Sequence, residues 1–237
     1  MKKLKVILSL LMFILIATSS TCVQKKVFTD KTYPIQSFSS IKSNVVANII
    51  YTQSNKVSVK AEGDEKMIDN LTISERNGLL EIKTNGKIRN KKKSDLTIYL
   101  SSPSIESIEN SGVGNFKLNG KIKADNITVN FEGVGNFEAS DLESLNIKTN
   151  YEGVGNLTLG GTSNLIEIKS EGVGRVNTQN LIAKNAIVIS SGVGSVKCYA
   201  SNSIDIINNG VGSITYYGNP TIKNVENSGV GKVKHGD

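Results

Sequence analysis

The sequence predicts an all-β fold: a single-chain parallel β-helix, or β-solenoid, of about seven coils behind an irregular β-rich N-terminal cap. Three observations predict it. The tripeptide Gly-Val-Gly recurs seven times, beginning at Gly112, Gly133, Gly153, Gly172, Gly192, Gly210 and Gly229, in steps of 21, 20, 19, 20, 18 and 19 residues. A fixed period of this size marks a stack of like units, none of which buries its apolar face alone. The flanks of each tripeptide alternate apolar and polar residues, the period of a half-buried strand. They are also rich in Val, Ile and Thr, and each Gly would cost a helix interior about 1 kcal/mol against Ala.

The first 21 residues read as an export signal. Lys2, Lys3 and Lys5 precede an apolar run from Val6 to Ala17 in which Ser9 is the only polar member. The run is too short to span a bilayer. Small residues then lead to Cys22, and Ala17-Thr18-Ser19-Ser20-Thr21-Cys22 resembles a bacterial lipobox. Ser19 and Thr21 depart from its usual Leu and Gly or Ala. The resemblance implies that Cys22 is lipidated as the mature N-terminus and ties the protein to a membrane. An ordinary secreted protein with an incidental Cys22 is the alternative. Cys198, the other cysteine, falls in an inward column and reads as a small buried hydrophobe. A Cys22–Cys198 disulfide stays open in an oxidising compartment.

Residues 22–37 have a tether's composition, and residues 38–110 carry strand signals without the tripeptide. Ile41–Tyr51, Val57–Ala61 and Leu96–Leu100 are β-rich, and Leu71–Ser74 and Leu79–Lys83 flank Asn77-Gly78, a hairpin-turn pair. This region is expected to form the first irregular coils and the cap, with a separate small sandwich as the alternative. The run Lys87–Lys93 holds five cations and reads as a solvated loop, or as a contact for an anionic polysaccharide or lipid headgroups.

Residues 111–237 form the repeat. One residue after each first Gly stands Val: Val113, Val134, Val154, Val173, Val193, Val211 and Val230. Four residues after it stand Phe116, Phe137, Leu157, Val176, Val196, Ile214 and Val233. Both columns are expected to stack in the interior at about 4.8 Å per coil. The glycines are expected to turn the corner through backbone angles that side chains forbid. A nucleotide-binding glycine loop is excluded, because no third Gly follows at the right spacing and no helix follows. The final coil carries Lys232, Lys234 and His235, charges that should blunt an edge strand and keep the protein monomeric.

These columns resemble the head GIN domain family of putative auto-transporter adhesins. The resemblance covers roughly residues 38–235, with Val replacing the family's frequent middle Ser and Asn115, Asn136 and Asn156 standing where Asp is frequent. It implies a parallel β-helix-like fold on the bacterial cell envelope, behind a lipoprotein signal and most often at the outer membrane. It supplies no catalytic or ligand-binding residues to carry over.

Composition narrows function further. The net charge of +7 includes the three signal lysines, and the chain has no Trp and only 5% aromatics. With an export signal, that argues against nucleic acid. No catalytic residue, metal site or cofactor is expected: the single histidine, His235, stands three residues from the end, and His and Cys ligands for zinc are wanting. The one candidate ligand set is the column before the glycines, where Glu132, Glu152 and Glu171 stack in successive coils. Like charges so spaced are unfavourable unless splayed into water or bridged by a cation. The expected function is a non-catalytic envelope lipoprotein, a binding or adhesion module for a protein or glycan. A polysaccharide lyase or hydrolase using the Glu column, or a structural or stress-responsive envelope component, are the alternatives.

Overall fold

The structure, a computed structural model, describes residues 27–85 and 96–237. The signal segment, Cys22 and the basic run 87–93 lie outside the described residues. Five long strands carry the repeat: β9 (Phe116–Phe131), β10 (Val134–Tyr151), β11 (Val154–Ser170), β12 (Val173–Ser190) and β13 (Val193–Asn208). Each winds round one coil and pairs in parallel with the next. Val134 lies beside Val154, Asn136 beside Asn156 and Ile147 beside Ile166. The solenoid has about six turns where the spacing predicts seven. Seven corners delimit six full turns, and the last coil is short: β14 (Ile214–Tyr217) and β15 (Thr221–Asn227) follow β13, and β16 (Val233–His235) pairs with β14 alone.

Each coil has three runs. In β10, Phe137 and Ala139 point in, then Leu142 and Ser144, then Ile147, Thr149 and Tyr151. The inward–outward alternation breaks at Ser140-Asp141 and at Leu145-Asn146, where two consecutive residues face water, and the third corner is Gly-Val-Gly. Inward side chains stack on their equivalents: Phe116 on Phe137 with ring centroids 5.4 Å apart, and Phe131 on Tyr151 at 5.9 Å with the ring planes nearly parallel. The Tyr151 hydroxyl is satisfied inside, donating to the carbonyls of Gly155 and Val173 at 2.8 and 2.9 Å.

The valine column does not enter the core. Val113, Val134, Val154, Val173, Val193 and Val211 are 47–52% exposed, and Val230 is 71% exposed. The reason is the pleat. Residues at even offsets from the first Gly point inward, and the even parity carries through the corner from Val129 and Phe131 to Phe137 and Ala139. Val stands at an odd offset, on the outer side. The valines nonetheless cover one another, and the last, with no coil beyond it, is the most exposed.

Both glycines are required, for different reasons. The second has a left-handed φ, +135° at Gly155, which only Gly adopts without strain. The first does not; its constraint is contact. A Cβ on Gly153 would sit 2.3 Å from the carbonyl oxygen of Gly133 in the preceding coil and 2.8 Å from the Phe131 ring. The corners are also tied by backbone bonds, such as Val154 N to Gly133 O at 2.9 Å.

The first coil is built on a corner without glycine. β2 (Ser40–Asn44) pairs in parallel with β8 (Ser107–Asn110), and β3 (Asn48–Gln53) with β9, so that Val46 bridges Val113. Val45 and Ala47 occupy the glycine positions. On their other side lie strands of the cap, Leu79–Thr84 in parallel beside β2 and Leu96–Ser102 in parallel beside β3, and both side chains are buried. Between the first and second coils the chain detours through β4 (Ser58–Asp64), the short helix α1 (Glu65–Asp69), β5 (Leu71–Arg76), β6 (Leu79–Thr84) and β7 (Leu96–Ser102). β5 and β6 form the expected hairpin over Asn77-Gly78, both at positive φ (53° and 79°), as a type I′ turn requires. The cap belongs to the same sheet: β4 and β7 extend the run that contains β3, and β6 pairs with β2. The stretch read as a tether also contributes a strand, β1 (Phe28–Thr32), antiparallel on β4.

Two measurements follow from this packing. Val173→Asp places its charge in water and should shift the urea-unfolding free energy by no more than about 1 kcal/mol, whereas Val176→Asp, three residues on and buried, should cost more than about 4 kcal/mol. The reverse order would put the wrong face inside. Burial pushes the Cys198 thiol up to about 12, above its ordinary value of 9.0. The neutral thiol is the form that folding favours, so its contribution is complete below pH 9 and is lost as pH rises through about 12. In a Cys22→Ser variant, Ellman's reagent at pH 8 should therefore leave the native protein unlabelled and label it fully in urea.

Candidate functional site

The run that follows the Gly-Val-Gly corner lies on the longest path of paired strands among the described residues. Its outer row crosses ten strands in register: Lys60, Tyr99, Ile50, Lys117, Glu138, Thr158, Asn177, Lys197, Thr215 and Lys234. At about 4.8 Å per strand this row is about 43 Å long. A second row beside it holds Asn48, Asn115, Asn136, Asn156, Arg175, Ser195 and Ser213. An open groove of ≈ 590 Å³ crosses the middle of the face from β9 to β12, lined by Asn115, Lys117, Asn136, Glu138, Asn156, Thr158, Arg175 and Asn177 among others.

The two halves of this face differ in how their polar groups are used. In the first half they are largely spent on one another. Asn136 Nδ2 donates to Asn115 Oδ1 at 2.9 Å, and Asn156 Nδ2 to Asn136 Oδ1 at 2.8 Å, an amide ladder that the identical pitch of the coils makes possible. Lys117 pairs with Glu138 at 3.3 Å, and Lys60 with Asp30 and Glu62. In the second half Arg175, Lys197, Lys232 and Lys234 are exposed and make no ion pair among the described residues. Next to them, Tyr199 and Tyr217 are register partners in successive coils, both half-buried on the outer side.

The glutamate column lies elsewhere. Glu132, Glu152 and Glu171 are exposed at the odd position before the glycines, on the flank of the valine ridge away from the groove. Glu171 pairs with Lys169 at 2.6 Å. That bond, with a smaller contribution from Glu152, raises the Lys169 ammonium above its ordinary range. Among the described residues no three His, Cys, Asp or Glu side chains come together to hold a metal ion. His235 stacks edge-on against Tyr216, and its Nε2 lies 2.7 Å from the Gly218 carbonyl oxygen.

On the far side of the coil one carboxylate gathers two cations. Lys121 and Lys123 both reach Glu143, at 2.6 and 2.9 Å, and their hydrogen bonds hold its carboxyl down to about 2. Sequence reasoning missed the basic and aromatic half of the face. The signal was available in parity: Arg175, Lys197, Tyr199, Tyr217, Lys232 and Lys234 all stand at odd offsets from their glycine, which is the outward side.

Among the described residues no helix is long and apolar enough to cross a membrane. The sequence model of the family "putative auto-transporter adhesin, head GIN domain" matches residues 37–220. Among solved structures, a putative adhesin from Bacteroides fragilis superposes with a TM-score of 0.85 at 29% identity, over 89% of this chain and 98% of that one. A putative lipid binding protein from Parabacteroides distasonis gives 0.67 at 20% identity, over 89% and 97%. A putative adhesin from Parabacteroides merdae gives 0.62 at 18%, over 89% and 96%. At such identities the last two speak for the fold alone. No curated protein matches the chain.

Proposed function

The chain belongs to the head GIN domain family of putative auto-transporter adhesins, and from that premise we propose that it is a non-catalytic cell-envelope lipoprotein whose solenoid face holds an extended protein or glycan. One observation carries the reading: a largely polar surface of ten register-matched strands, grooved across its middle. Side chains on a continuous ladder, parallel from β7 to β16, are held in place before any ligand arrives, so an extended polymer meets them at little ordering cost. The family and the Bacteroides fragilis structure carry adhesin descriptions, which agrees with a binding module. The lyase alternative loses its support, because the glutamates it would use face away from the groove.

Attachment through a lipid on Cys22 fits this role, since it would hold the solenoid at the outer membrane by its N-terminal, capped end. Cys22→Ala should leave unprocessed precursor or release soluble protein, with loss of radiolabelled palmitate; unchanged membrane association of that variant would contradict the anchor. Binding itself is tested by screening the mature protein on a glycan array and against purified envelope proteins. Asn156→Trp, which fills the groove, should weaken whatever is bound at least tenfold. Lys148→Trp, on the third run of the coil, should leave it unchanged. Equal effects of the two variants would remove the groove face from the account.

A further inference from the structure

We infer that the second half of the groove face is a site for an acidic linear polysaccharide, lying along the solenoid axis with its carboxylates on Arg175, Lys197, Lys232 and Lys234 and its sugar rings against Tyr199 and Tyr217. This rests on the reading of the face as a polymer-binding surface and names the class of polymer.

This face carries charge that the fold does not use. Several cations along the solenoid are matched by acids, Lys42 with Glu109, Lys117 with Glu138, Lys121 and Lys123 with Glu143, Lys169 with Glu171, while others such as Lys148, Lys184 and Lys223 stand singly on other runs. On the face after the corner the matching stops at Arg175. From there to the C-terminal coil the outward rows hold four cations and no acid: Arg175, then Ser195 and Lys197, then Ser213 and Thr215, then Lys232 and Lys234. Parallel stacking fixes these cations on one side, at multiples of about 4.8 Å along the axis. An anionic partner with regularly spaced single charges fits that geometry better than one compact anion does. An extended chain of uronic acid sugars has such a repeat, at a length near the coil spacing. Ser195, Ser213 and the groove amides supply neutral donors and acceptors for its hydroxyls.

The tyrosines give an independent reason for sugar rather than another polyanion. Tyr199 and Tyr217 sit side by side in the outward row next to the cations. Each ring rests on a glycine of the following coil: a Cβ on Gly218 would lie 3.1 Å from Tyr199 Cζ, and one on Gly236 2.3 Å from Tyr217 Cε1. Those two glycines make room for rings laid along the axis instead of standing out from it. The negative face of an aromatic ring attracts the polarised C–H groups of a pyranose, and the phenol at its rim can hydrogen-bond a hydroxyl. A phospholipid headgroup or a nucleic acid phosphate would use the cations without needing this platform in that row.

The test is calorimetric titration of the mature protein with oligogalacturonate and with an uncharged galactan oligomer of equal length. The acidic oligomer should bind at least tenfold more tightly, and its affinity should fall as salt is raised from 0.05 to 0.5 M because the contacts are solvent-exposed and screened over about 10 Å at 0.1 M. Arg175→Gln with Lys197→Gln should remove the preference for acid while sparing any affinity for the galactan. Tyr199→Leu with Tyr217→Leu should weaken both oligomers at least fivefold at every salt concentration; unfolding curves confirm that the variants are folded, and the exposed pair Lys232→Gln with Lys234→Gln serves where they are not. Equal affinity for the two oligomers would overturn the inference and leave the polymer-binding function standing. Binding to phosphatidylglycerol vesicles that survives the tyrosine changes, with no oligogalacturonate binding, would overturn it in favour of a lipid surface. If the array and the envelope proteins also give no ligand, the broader function fails with it.

Discussion

Everything in this molecule is set by how closely one turn of backbone lies upon the next at the Gly-Val-Gly corner. The ladder spacing of about 4.8 Å is common to parallel strands, but at a corner the chain must turn while keeping it. Here a Cβ on Gly155 would fall 1.9 Å from the Gly135 carbonyl oxygen, and the same conflict recurs from Gly114 to Gly231. The coils can stay in register round the bend only because two positions in each have no side chain. The Val45-Val46-Ala47 corner carries side chains at both positions, and the strands stacked on its far side, β6 and β7, belong to the cap and not to a Gly-Val-Gly coil.

Constant pitch is what turns a repeat into a surface. Because every coil is offset from the last by one strand spacing, each offset from the glycine becomes a straight row. Inward rows become stacks of like side chains, Phe116 on Phe137 and Ile147 on Ile166. Outward rows become ladders, such as the Asn115–Asn136–Asn156 amides. Differences between coils then read as changes along a row. The row that begins in self-satisfied amides ends in Arg175 and the cations beyond it, so one face has a quiet half and a half with charge left to offer.

Much of this was legible in the sequence. Period and alternation gave the parallel solenoid; Asn77-Gly78 gave the hairpin; the strands at Ile41–Tyr51 and Val57–Ala61 were placed nearly where they occur, except that the first is broken at the Val45–Ala47 corner. Three things were misread, each for a physical reason. The valines were assigned to the core because they are apolar, whereas pleat parity puts an odd offset outside. The first coil was expected within residues 38–110, but its corner was not located, because Val45–Ala47 carry no glycine. Phe28–Thr32 looked like a tether because its polar composition suits a strand with no buried face, and all five residues are exposed. The glutamates were legible as an outward column, but not the side of the ridge they occupy.

The most direct test separates close approach from backbone angle. Gly133 has a φ outside the left-handed region, yet a Cβ there would lie 2.3 Å from the Gly112 carbonyl oxygen. Gly120 is the converse, with φ +76° and nothing within 4 Å of an added Cβ. Unfolding free energies of Gly133→Ala and Gly120→Ala should therefore differ clearly. Gly120→Ala should cost about 1–2 kcal/mol, the left-handed penalty alone. Gly133→Ala should cost at least about 3 kcal/mol, because the coils must separate or shift in register. Equal losses, or a greater loss at Gly120, would mean that the corner glycines serve backbone angle and not the contact between coils.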